Sequence, residues 1–350
     1  MQLSVSIQTL ENSAFPAPLQ LVTLTNSHGL EVKLSTFGAS IWAVNLHGKE
    51  ATPIPLSVGY QNIEDWATNP YYFGITAGRV ANRIGKAEFP LAGNTIKLLA
   101  NERNNQLHGG PKGLSHCNWD VGTIQDDNSV AAIFSITSPD GDQGFPGNLA
   151  IELEYRLTEA NELILTYNAT SDKTTPVCLT NHAYWNLASS KADGIVGHDL
   201  HIQASNILAL DAEQIPTGEL TKVDNGPFDF QQTKSIGRDI KALDNGYDHF
   251  FVMDRDTAGP SLQTIAVLTD PVSGRAMEIS TTELGVQFYS GNFLDGTHQD
   301  AQGNQVNKYH GLCLETHGYP NAVNVSHFPS VMLEPNAKYT QVTVHSFKNL

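Results

Sequence analysis

Apolar and polar residues alternate along most of the chain, the two-residue period of strands with one buried face. The segment "LQLVTLTNSHGLEVKLSTFGASIWAVNL" holds three apolar-rich runs separated by "NSHG" and "FGA", which predicts a meander. "NLAIELEYRLTEANELILTYNAT" predicts two strands around the polar turn "TEANE". "QTIAVLTDPVSGRAMEISTTELGVQFYSGNFL" repeats the pattern, with "DPVSG" as the turn. Helical periodicity is confined to "NIEDWATN" and "SIGRDIKAL". Regular amphipathic helices do not separate the strands, which argues against a parallel α/β fold. Joints such as "SPDGDQGFPG" read as loops inside a β domain, not boundaries. The expectation is an all-β, antiparallel architecture, with residues 1–350 as a single domain.

Composition narrows the partners. A net charge of −16 without a Lys/Arg cluster argues against nucleic acid and, more weakly, against anionic membranes. No run approaches a membrane span, and "MQLSVSIQTLENSAFP" lacks the basic and apolar regions of a signal peptide. Cys117, Cys178 and Cys313 follow no CxxC spacing and are expected to be free thiols in a reducing, cytoplasmic compartment. Monomer and homodimer both remain open.

Thirteen histidines invite a metal, but there is no HExxH and no helical His pair, so none is expected. GxSxG, Walker A and GxGxxG-plus-helix patterns are also missing, which removes covalent serine catalysis and a nucleotide cofactor from consideration. What remains is polar residues set in apolar strands. "LTNHAYWNL" would place Thr180, His182, Tyr184 and Asn186 on one strand face, and Asn181, Ala183, Trp185 and Leu187 on the other. "GRVANRIG" carries Arg79, Asn82 and Arg83. "NNQLHGG" ends with His108 before two glycines that could let backbone approach a ligand. "GYDHFF" holds Asp248, "ELGVQFYSGNF" holds Gln287, and "GLCLETHGYPNAVN" holds Glu315 and His317 on one face. Taken singly, each has a structural reading: a satisfied core histidine, a solvent-facing Glu, arginines paired with Asp248.

Taken together, these motifs, with "IPTGEL" and "PFDF", occur in the order found in the aldose 1-epimerases, or galactose mutarotases, which the chain resembles from about Leu19 to its end. The resemblance implies a large antiparallel β-sandwich, the supersandwich, and interconversion of the α and β anomers of a free aldose such as galactose or glucose, without a cofactor. It implies Glu315 as catalytic base and His182 as catalytic acid. Asn82, Arg83, His108, Tyr184, Asp248 and Gln287 would hold the sugar, as would Arg79 in the same motif as Arg83. Three positions depart from the family pattern: Cys178, where Asn or Ser is usual; His317, in place of Gln; and Asn321, in place of Asp. His317 shares a strand face with Glu315 and is expected to influence that carboxylate or the sugar preference.

Mutarotation needs a proton delivered to the ring oxygen and another withdrawn from the C1 hydroxyl, which one acid and one base supply. That division expects an ionised Glu315 and a partly protonated His182, placed on opposite sides of the anomeric carbon, with Tyr184 or Phe288 packed on the sugar's C–H face.

Overall fold

The structure is a computed structural model that describes residues 1–48, 52–188, 194–255 and 261–350. Three antiparallel sheets dominate it. The first holds the expected meander, Leu19–Thr25, Leu30–Ser35 and Ser40–Leu46, flanked by Ser4–Leu10 and Ile54–Pro55. The second has nine strands, among them Leu149–Thr158 and Glu162–Ser171. These two show why alternation is legible: Leu149, Ile151, Leu153, Tyr155 and Leu157 are buried, while the residues between them are more exposed. The third sheet runs Pro216–Lys222, Asn206–Leu210, Asp248–Val252, Gly285–Tyr289, Cys313–His317.

One apolar interior joins all three, with Leu24 and Val32 from the first sheet, Leu153 and Tyr167 from the second, and Phe251, Val286 and Leu314 from the third. The third sheet therefore buries its apolar face and turns Asp248, Gln287 and Glu315 the other way. The "DPVSG" turn closes as expected, with the Asp270 carboxylate accepting from the Val272 and Ser273 backbone amides. Among the described residues no helix is long and apolar enough to cross a membrane.

Two expectations need correction. "NIEDWATN" forms the helix Ile63–Thr68 around the buried Trp66, but "SIGRDIKAL" forms two 3₁₀ turns, Ile236–Arg238 and Ile240–Ala242, broken at Asp239. There the Asp239 carboxylate is drawn to Lys234 Nζ at 2.7 Å. The second correction concerns "LTNHAYWNL", which is not one strand. Thr180–Asn181 pairs with Thr76–Ala77, and Tyr184–Trp185 pairs with Ser57–Val58. Between them the Ala183 amide donates to Asn181 Oδ1, a local turn that interrupts the ladder at His182.

Candidate active site

The polar face of the third sheet forms one wall of a cavity of about 590 Å³. Cross-strand register builds that wall: Gln287 lies opposite Glu315, and Asp248 opposite Tyr289. Gln287 Nε2 donates to Asp248 Oδ1 at 2.7 Å, which fixes both side chains. The interrupted segment at 180–187 supplies the adjacent wall. Thr180 Oγ1 and Asn186 Nδ2 anchor its ends on the carbonyls of Thr316 and His310, leaving His182 and Tyr184 to face the cavity. His182 Nε2 lies 3.7 Å from Glu315 Oε1, and both residues are almost fully buried. Glu315 Oε2 is buried and has no hydrogen-bond partner among the described residues, an orphaned acceptor of the kind that calls for a functional explanation.

The third wall comes from "GRVANRIG" and "NNQLHGG". Arg83 and Leu107 pair in a two-strand ladder, and the Arg83 guanidinium lies 3.5 Å from Glu102. Asn82 (φ +61°) and His108 (φ +51°) are both left-handed, a costly conformation held here by reciprocal bonds. The Asn82 amide donates to His108 Nδ1 at 3.2 Å, and the His108 amide to the Asn82 carbonyl at 3.1 Å. A backbone N–H only donates, so the neutral His108 ring keeps its proton on Nε2 and offers a donor. Burial, with His182 and Arg83 nearby, holds His108 well below the ordinary histidine range, so it stays neutral.

His108, His182 and Glu315 place ligand atoms within 4.8 Å of one another, a set that could in principle hold a zinc-like cation. The proton on His108 Nε2 makes that nitrogen a donor rather than a ligand, so the set as held does not suit a metal.

Electrostatics reverse one expectation. Burial, reinforced by Asp248 and opposed by Arg83, pushes Glu315 well above the ordinary carboxylate range. Burial lowers His182 to about 4. The resting pair therefore favours a neutral carboxyl and a neutral imidazole over the ionised arrangement expected from sequence. Asp248 is also raised, mainly by burial. The geometry differs too: His182 and Glu315 stand side by side rather than across a gap.

Asn82, Arg83, His108, His182, Tyr184, Asp248, Gln287 and Glu315 all line the cavity; Arg79 does not. Its guanidinium points into the protein and donates to Ser138 Oγ, Thr175 Oγ1 and the carbonyls of Ser138, Pro139, Pro146 and Gly147. Phe288 is likewise turned away, stacked on Tyr247 in the core. Gly109 serves backbone-to-backbone contact rather than a ligand, since a Cβ there would lie 1.7 Å from the Gly78 carbonyl oxygen. His317 is fully buried outside the cavity lining, with Nδ1 on the Gly318 carbonyl at 2.6 Å and Phe250 beside its ring. Asn321 (φ +59°) braces the arginine loop, accepting from the Gly85 amide and donating its own amide to the Arg83 carbonyl. Asparagine tolerates that left-handed conformation well. Cys178 is buried with its Sγ against the Gly318 carbonyl.

Sequence reasoning missed Tyr72, Glu102, Tyr289 and Phe293, which also line the cavity. Tyr289 lies two residues from Gln287 on one strand, so its face was predictable; Tyr72 and Glu102 sit in segments without a period.

Comparison with known proteins agrees with this architecture. The family model for aldose 1-epimerase matches residues 20–346. A galactose mutarotase from Sus scrofa is 38% identical over 318 residues, covering 91% of each chain. The aldose 1-epimerase of Escherichia coli (strain K12) is 34% identical over 338 residues, covering 94% of this chain and 95% of that one. Among solved structures, galactose 1-epimerase from Lactobacillus acidophilus NCFM superposes with a TM-score of 0.87 at 25% identity, covering 99% of both chains. A GalM/aldose epimerase homologue from C. elegans gives 0.83 at 28%, with the same coverage. The all-β supersandwich expected from the motifs is thus the fold observed, and the chain belongs to the aldose 1-epimerase family, isomerases that act on carbohydrates.

Proposed function

We propose that this chain, acting as one catalytic unit, interconverts the α and β anomers of a free hexose such as galactose or glucose, with Glu315 and His182 exchanging protons with the sugar. The observation that carries this assignment is the buried contact of 3.7 Å between His182 Nε2 and Glu315 Oε1 at the wall of a polar cavity. The ring oxygen and the C1 hydroxyl are bonded to the same carbon, so adjacent groups can reach both. Opening moves a proton from the C1 hydroxyl to Glu315 and another from His182 to the ring oxygen. After rotation about C1–C2, closure returns both protons on the opposite face.

The pair carries one shareable proton throughout. Ionised Glu315 with protonated His182 is the state that opens the ring; neutral Glu315 with neutral His182 is the state left by opening. Burial favours the second, and a bound sugar whose hydroxyls bond the carboxylate would favour the first. Neither arrangement requires a cofactor.

The other cavity groups suit hydroxyl recognition. Asp248 and Gln287 offer a fixed acceptor and donor, His108 offers Nε2–H, and Asn82 and Arg83 add planar polar groups. Tyr184 donates its own O–H to the Tyr71 carbonyl, leaving its ring to face the sugar. A phosphorylated hexose fits less well. The cavity arginines, Arg83 and Arg103, both lie against Glu102, at 3.5 and 3.9 Å, so their charge is already partly matched. The direct test compares turnover of free galactose and of its phosphate ester. A strong preference for the ester would overturn the free-hexose assignment.

A further inference from the structure

The His182 ring is contacted at both nitrogens. While Nε2 faces Glu315, Nδ1 lies 3.5 Å from the Sγ of Cys313. Cys313 is completely buried and stands two residues before Glu315, on the same face of strand Cys313–His317 and opposite Tyr289. Strand periodicity thus delivers the thiol to one side of the imidazole and the carboxyl to the other. The aromatic side chains of Tyr72, His108, Tyr184 and Tyr289 also surround the ring, at centroid distances of 6.0, 5.1, 5.2 and 6.4 Å.

We propose that Cys313 is a positioning residue whose thiol hydrogen-bonds His182 Nδ1 in both protonation states of the ring. Nε2 is the nitrogen that faces Glu315 and trades the proton, so Nδ1 keeps its own proton in both states and donates it to Sγ. The inference rests on the assignment of His182 as a proton carrier. No bond to sulfur forms or breaks, and no proton leaves it. Burial, with Glu315 and Asp248 close by, pushes the thiol well above its ordinary range, so it stays a neutral acceptor.

The choice of a thiol has a physical consequence. A carboxylate at this position would only accept, and would favour the imidazolium as it does in catalytic triads. An apolar side chain would leave a buried Nδ1 without this partner, at a cost whenever it carries a proton. A neutral thiol is a weak acceptor, so it holds the ring's orientation and its Nδ1–H tautomer while favouring neither charge state strongly. Mutarotation needs that balance, because the proton His182 surrenders on opening must return on closing.

The test measures kcat and KM for α-D-galactose in Cys313→Ala, Cys313→Ser and His182→Asn. The expected result is a kcat reduced about tenfold in Cys313→Ala with little change in KM, the lower end of the effect of removing the outer hydrogen-bond partner of a metal-bound imidazole. Cys313→Ser, whose hydroxyl oxygen also accepts from Nδ1–H, should recover most of that loss. Wild-type kcat in Cys313→Ala, or equal losses in Ala and Ser, would overturn the proposal, the latter by pointing to packing alone. Inactive His182→Asn beside fully active Cys313→Ala would reject only the role of Cys313. Active His182→Asn would reject the acid assignment beneath it.

Discussion

At the level of single residues, the proposed function separates chemistry from grip. Glu315 and His182 touch each other, whereas Asp248 is tied to Gln287, whose strand position is opposite Glu315. Replacing Asp248 with Asn should therefore weaken binding more than turnover, with KM rising about tenfold for the loss of one charge-assisted hydrogen bond and kcat changing less. Steady-state kinetics showing the reverse split would move Asp248 into the chemical step. The candidate residues whose motif and strand period agree, such as Gln287 and Glu315, lie at the cavity wall. Arg79 was misplaced because it and Arg83 share one motif, and only the left-handed turn at Asn82 separates a buried guanidinium from one at the cavity. Cys313 was within reach, since it stands two residues from Glu315 and must share its face.

At the level of elements, the cavity depends on irregular segments clamped to regular strands. Arg79 is one clamp, binding the loop that carries Pro139, Pro146 and Gly147. Its replacement by Ala leaves several buried carbonyls without a donor and should cost at least about 3 kcal/mol of stability. Urea denaturation checks this, and kinetics on the folded fraction should show KM essentially unchanged. A raised KM with unaltered stability would mean that Arg79 reaches the sugar. The alternating runs told which residues face inward but not which strands meet. Lys338–Lys348 inserts between Glu162–Ser171 and Ala276–Thr281, and its pairing with Glu162–Ser171 reaches across about half the chain, which no local pattern encodes. The segment around His182 was misread as one strand for a related reason: its partners change along its length, and only the three-dimensional neighbours reveal it.

At the level of the whole molecule, burial of histidine makes stability depend on pH. His182, His249, His317 and His345 are each lowered to about 4 by burial, while the unfolded chain protonates them near 6.5. A depressed histidine gives stability that is present above 6.5 and lost as pH falls toward 4, roughly 1.4 kcal/mol per pH unit for each group. Glu283, raised to about 7, and the raised Glu315 and Asp248 act in the opposite sense over part of this range, but they are fewer. The thermal midpoint should therefore fall between pH 6.5 and 4, and a midpoint that held or rose would contradict this balance. The decisive experiment remains the chemistry itself: polarimetry of freshly dissolved α-D-galactose with wild-type protein, Glu315→Gln and buffer alone. Wild-type protein should accelerate the decay of rotation, and Glu315→Gln should be slower by roughly 10²–10⁴-fold at similar KM. Near-normal turnover in Glu315→Gln would refute the proton exchange proposed between this carboxyl and the sugar.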